Sequence, residues 1–274
     1  MSLSVLGVKQ FTEVLPTNSL PYGQSIRAFL QLFLQGTGGH EFFSHVGPHT
    51  HQNARLVAGD FWLNVYAEQL GVGADLLTGV GIAKYVVLRE MVIYANQQRK
   101  KDHLPEYDFV LVDLPPSFGG LVRAALYSSD YFLVPCTSDT FSAYCVGLIG
   151  EMLPTFFKDW QDGFTRFKSS NPRFDRFDNL GKTKFAGWIF NSFDTRKSNY
   201  LRADQVHHDA IQKAVEEKLV AKLNGNVSAN LPPNFLAGDI EDMNTLAQNS
   251  VWQNVPVSQL AEHRPIVDIE SRGN

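Results

Sequence analysis

A three-layer α/β fold around a mostly parallel, doubly wound sheet is what this chain predicts, on three grounds. Short apolar runs suited to strands buried on both faces recur along it. Longer segments with apolar residues at helical spacing lie between those runs. The two patterns alternate, as they do where crossover helices join parallel strands.

Taken in order, residues 1–50 read as an N-terminal helical and loop segment, and 51–262 as the α/β body. The first strand is expected at 54–58 (Ala-Arg-Leu-Val-Ala). A helix follows over 82–100, with Ile82, Val86 and Ile93 near one side and Arg89, Gln97 and Lys100 able to stay wet. The second strand, 107–113, carries four consecutive apolar residues, Phe109 to Val112, and ends in Asp113. A helix at 121–128, a strand at 130–134 and a helix at 139–160 come next. The segment 158–182 is rich in Asp, Arg, Phe, Ser and Asn and reads as a surface loop or small insertion. A strand at 184–190, a helix at 202–223 and a polar tail at 263–274 complete the chain.

Composition narrows the class of protein. A chain of 274 residues buries about three quarters of its unfolded surface and needs no disulfide or metal staple. With 24 Lys+Arg against 28 Asp+Glu it is mildly acidic, which excludes a surface that is basic throughout. At 44% hydrophobic and 12% aromatic residues it is not a disordered chain. Cys136 and Cys145 are too few for a disulfide framework and read as small apolar residues. The opening residues lack a signal-peptide pattern, and no apolar run approaches a membrane span, so a reduced, soluble, cytoplasmic protein is expected.

The run Phe109-Val110-Leu111-Val112-Asp113-Leu114-Pro115-Pro116-Ser117-Phe118-Gly119-Gly120 carries the most chemistry. In open α/β sheets the carboxyl ends of strands face the ligand crevice. A carboxylate there can hold the water shell of a magnesium ion on nucleotide phosphates. Glycines after it let backbone N–H groups approach a terminal phosphate. The plain alternative is a buried strand whose last Asp caps the next helix.

Together with Tyr107-Asp108, Ala125-Leu126, the segment Asp130-Tyr131-Phe132-Leu133-Val134-Pro135 and the turn Thr137 to Ser142, this run resembles the ParA/MinD family of partitioning ATPases. Weaker likenesses lie at Leu56-Val57-Ala58-Gly59-Asp60, Ala186-Gly187-Trp188-Ile189-Phe190-Asn191 and Pro256-Val257. The resemblance implies a P-loop NTPase-like fold and Mg-ATP as cofactor. It implies that Asp113 is the Walker B acid, holding Mg through water. It implies that Gly119 belongs to the second switch, that Asn191 contacts adenine and that Pro115 also binds the nucleotide. It further implies a homodimer, a ParB-like adaptor, and sequence-independent DNA contacts near Arg196, Lys197 and Arg202.

The family's opening strand and its lysine-bearing loop, KGGxGKT/S, have no counterpart before Asp113. On this resemblance the fold is entered late, and the chain is either an N-terminally truncated ATPase or a non-catalytic binding or scaffold relative. One lookalike, Leu180-Gly181-Lys182-Thr183, fails as a phosphate loop. Arg176 stands where the first glycine is required, and a strand follows where a helix is needed.

Two further features have bland readings. His40, His45, His49 and His51 match no familiar metal spacing and read as a solvated loop. The aromatics Phe156, Phe157, Trp160, Phe164 and Phe167 suit core packing, with a partner surface as the alternative.

Overall fold

The computed structural model describes residues 2–35, 41–71, 79–196 and 199–266. Its helices are α1 (Ser2–Val14), α2 (Ile26–Gln35), α3 (Leu63–Gly71), α4 (Gly79–Tyr85), α5 (Val87–Lys101), α6 (Gly120–Ser128), α7 (Thr140–Ser170), α8 (Arg202–Ala214) and α9 (Thr245–Gln253). Its strands are β1 (Tyr131–Thr137), β2 (Lys184–Phe193), β3 (Thr195–Arg196), β4 (Asn199–Tyr200) and β5 (Leu236–Glu241). No helix among the described residues is long and apolar enough to cross a membrane.

The chain divides into two compact units, Met1–Glu68 with Met91–Asp113 and Met243–Asn274, and Gln69–Glu90 with Leu114–Asp242. In the first, Leu6, Val14 and Ala58 form a small core with Phe11 and Leu56 against it. Phe29 of α2 packs on Tyr94 of α5 at 5.6 Å between ring centres. The Asn254 side-chain amide donates to the carbonyls of Leu3 and Ser4 at 3.0 and 2.8 Å, tying the end of α9 to α1.

The second unit holds the sheet, and it is α/β as expected. β1, β2 and β5 are all parallel, in that spatial order. Central β2 is the most deeply buried, with Phe185, Trp188 and Phe190 fully enclosed. Gly187 stands at φ 114° where the β1–β2 register shifts, between Phe185 and Trp188, and a Cβ there would meet the Ala237 methyl and the Phe235 carbonyl at 2.9 Å. Only glycine fits so close an approach.

Long α7 contributes Val146, Gly150, Leu153, Phe156 and Trp160, a helical stripe of buried residues. Ile211 of α8 and Val215 and Leu219 of the π-helical turn after it are buried in the same layer, against α7. The aromatics singled out in the second half of α7 therefore serve the core. Phe156, Trp160 and Phe167 are buried, and Trp160 stacks on Phe164 at 5.7 Å.

Several expectations need correction. Residues 54–58 form no strand; Leu56 makes a single antiparallel bridge with His45. The predicted helix 82–100 is split at Val86 into α4 and α5. Residues 158–170 continue α7, so the irregular stretch is confined to the segment before β2. Strand β5 was not foreseen.

The largest correction falls on 107–113, which forms no strand. Phe109 is 88% exposed and Leu111 89%, with Val110 and Val112 at 49% and 43%. An apolar run becomes a buried strand only when neighbouring strands take up its backbone groups and other layers cover its faces. Among the described residues no strand pairs with it.

Candidate functional site

The carboxyl edge of the sheet is where an open α/β fold offers a ligand crevice. At the end of β1 the chain turns into α7 through Thr137-Ser138-Asp139. Asp139 is the N-cap of α7, in extended conformation, and its Oδ1 accepts from the Ser142 N–H at 2.7 Å. The Ser142 hydroxyl in turn accepts from the Thr137 N–H at 3.0 Å, and the Thr137 hydroxyl donates to Asp139. Partial burial pushes the Asp139 carboxyl up, but these hydrogen bonds outweigh it and hold the group below its ordinary range. This carboxylate is committed to holding the turn.

Beside it, the Ser138 N–H donates to the Asn191 carbonyl at 3.1 Å and the Ser138 hydroxyl to Asp204 of α8. The other Asp204 oxygen lies 3.3 Å from the Asp194 N–H. One aspartate thus ties the ends of β1 and β2 to the first turn of α8.

Next to this network lies a cavity of about 610 Å³, lined by Phe193, Thr195, Asn199, Tyr200, Gln205, Asp239 and Glu241. Tyr200 donates to Asp239 at 2.9 Å, and the Thr195 hydroxyl to Glu241 at 2.5 Å. Burial, and then the bond to Asp239, push the Tyr200 phenol up to about 12, so it stays a neutral donor. Phe193 and Tyr200 meet edge to face at 4.7 Å and form the apolar wall. Among the described residues the lining holds two carboxylates and no Lys or Arg.

The residues singled out in the sequence are distributed as follows. Asn191 is half-buried near the end of β2, in register with Thr137 and Ile240, and belongs to this edge. Arg196 ends β3 and Arg202 begins α8, both exposed. Lys197 lies outside the described residues. Gly119 is the N-cap of α6 at φ −73°, and its carbonyl accepts from the Arg123 N–H at 3.2 Å. Pro115 is exposed and accepts from the Ser117 N–H at 2.8 Å. Asp113 is exposed and ends the first unit's middle segment, whereas Pro115, Gly119, Asn191, Arg196 and Arg202 belong to the second unit.

Of the four histidines, His45 bonds the Gln24 carbonyl at 2.7 Å and the His49 ring sits edge-on to His263 at 5.2 Å. The His51 Nδ1 accepts from the Asn53 N–H at 3.2 Å, and His40 is outside the described residues. Among the described residues no group of three or more His, Cys, Asp or Glu is placed to hold a metal ion.

Sequence reasoning missed Asp204, Asp239, Glu241 and Tyr200. The rule that strand ends face the crevice reaches Asp139 and Asp194. Asp239 and Glu241 require β5 to be recognised first.

Comparison with known proteins adds two findings. Residues 86–163 match the family model of an AAA domain. That stretch takes in Asp113, Pro115 and Gly119 but stops short of the cavity. The crystal structure of protein DIP2308 from Corynebacterium diphtheriae is similar in fold, with a TM-score of 0.64. The match is 14% identical and covers 94% of this chain and 84% of that one. No curated protein matches the chain.

The AAA-domain match implies nucleotide and magnesium binding in general terms. The lining of this cavity does not fit a magnesium triphosphate. A triphosphate requires cations or converging backbone N–H groups, and here it would meet Asp239 and Glu241 instead. Like charges about 4 Å apart repel by roughly 4 kcal/mol near a protein surface.

Proposed function

We propose that this chain is a ParA/MinD-like partition protein that acts by binding and not by hydrolysing ATP on its own. The AAA-domain match over 86–163 and the parallel sheet support the family part of the reading. The observation that carries the non-catalytic part is the acidic lining of the cavity beside the carboxyl ends of β2 and β5. On this reading residues 51–262 form the ParA-like body, with 1–50 preceding it and 263–274 as a tail. Asp113 and Gly119 are then the Walker B and switch positions, Asn191 the adenine position and Pro115 a further nucleotide-binding one.

Arg196, Lys197 and Arg202 are the positions this reading assigns to DNA, alongside a ParB-like adaptor and self-association. Asp194 and Asp204 stand close to them in the sequence and weaken the local positive potential, so any such binding is weak and salt-sensitive.

Calorimetry with Mg-ATP tests the reading. No saturable heat is expected in the micromolar range. Saturable binding that Asp113→Ala abolishes would restore the ATPase. In the same preparation, DNA retained at low salt should be lost in Arg196→Ala/Arg202→Ala, and an absence of retention removes the DNA role.

A further inference from the structure

The cavity beside the carboxyl ends of β2 and β5 carries negative charge that nothing cancels. Asp239 accepts from Tyr200 through Oδ2, and Glu241 accepts from Thr195 through Oε1. Both donors are neutral hydroxyls, so each carboxylate keeps its charge. Among the described residues neither acid makes an ion pair, and the second oxygen of each has no hydrogen-bond partner.

Strand β5 sets the spacing of the two charges. Asp239 and Glu241 stand two positions apart on it, so they share a face with Cα atoms roughly 6–7 Å apart. The irregularity of the β2–β5 ladder falls on β2. Ile240 and Glu241 are consecutive, whereas their partners Asn191 and Phe193 skip Ser192, which sits at φ 60°. This bulge turns Phe193 to the side of Phe190, on whose ring it stacks at 5.0 Å. Phe193 and Tyr200 thereby give the acids an aromatic wall. Gln205 gives an amide N–H to Asp209 at 2.8 Å and keeps its amide oxygen as a further acceptor on the lining.

We propose that this cavity binds a linear diamine in its diammonium form, one ammonium on each carboxylate and the methylene chain along Phe193 and Tyr200. Four methylenes between two ammonium groups span roughly 6 Å at ordinary bond lengths, which matches the spacing of the acids. Aromatic faces attract cations and also cover an apolar chain, so the wall favours both parts of such a ligand. A single metal ion would need further donors converging with the two acids. Among the described residues no group of three or more His, Cys, Asp or Glu is placed to supply them. Every lining residue belongs to the second unit and no nucleotide takes part, so the site stands apart from the partition reading.

Calorimetry of the full chain with 1,4-diaminobutane at low salt tests it. Saturable binding is expected, about tenfold tighter than that of butylamine or of Mg²⁺, and weaker as salt is added. Asp239→Asn and Glu241→Gln keep the acceptors for Tyr200 and Thr195 and should leave the circular dichroism unchanged. Each should weaken diamine binding about tenfold. An absence of saturation up to about 10 mM diamine overturns the proposal. So does butylamine or Mg²⁺ binding as tightly, which would mean a single-charge or metal site. Diamine affinity unchanged in both variants overturns it as well, since the ligand would then sit elsewhere.

Discussion

Replacing Gly181 with alanine should be among the most damaging single-methyl changes in this protein. Gly181 sits at φ 70°, where an alanine costs roughly 1–2 kcal/mol. Its added Cβ would stand 2.1 Å from Trp160 Cδ1 and 2.2 Å from Nε1, inside any allowed contact. The indole cannot move aside cheaply. Trp160 is buried, with Tyr127 at 4.9 Å and Phe164 at 5.7 Å between ring centres. Overpacking of this kind adds about 1–3 kcal/mol. The combined loss is about 2–5 kcal/mol, a large part of the ~5–15 kcal/mol a typical domain has.

Urea denaturation followed by tryptophan fluorescence reads the loss as a lower midpoint at unchanged slope. Lys182→Ala is the control. Its ammonium donates only to the Asp178 carbonyl at 2.8 Å on the surface, so its effect should stay within about 0.5 kcal/mol. Adding Trp160→Leu should make Gly181→Ala cheaper, because the clashing ring is gone. A Gly181→Ala protein as stable as the original, or strict additivity in the double variant, would refute the packing account of this glycine.

Asp139→Ala removes the N-cap of α7 and should cost about 1 kcal/mol at neutral pH. Because the folded carboxyl titrates below its ordinary value, its stabilisation is present above about pH 4 and is lost as pH falls through the lowered folded value. The gap between variant and original should therefore narrow in acid; a gap independent of pH from neutral to strongly acid would show that the charge plays no part. Burial, and then nearby Asp139, push the Cys136 thiol up to about 12, so alkylation of the native protein near pH 8 should label half-buried Cys145 first. Equal labelling of the two peptides by mass spectrometry would contradict that.

The elements legible in the sequence are those whose signals are local. β1 and β2 begin within a residue of where their apolar runs place them, and α6, α7 and α8 begin within a residue of their periodic segments. The sequence places Asp139 only at the start of that helix; the structure shows it as the cap, accepting from the Ser142 N–H. Gly181 could be dismissed as part of a phosphate loop from its neighbours alone, and β2 does begin soon after it, at Lys184. β5 escaped notice because Leu-Ala-Gly-Asp-Ile-Glu is too polar and glycine-broken to announce a strand. It becomes one because β2 presents a ladder for it to join.

The chain by itself determined the α/β class and the order of its central elements, since each follows from propensity and periodicity. Only the tertiary structure decided the rest. Residues 109–112 carry the pattern of a buried strand yet lie open, because burial belongs to a residue and its neighbours together and not to the residue alone. Asp204, Asp239, Glu241 and Tyr200 come together at one edge because strands and helices far apart in sequence end side by side there. That convergence, and the acidic cavity it builds, is a property of distances through space, which no window along the sequence contains.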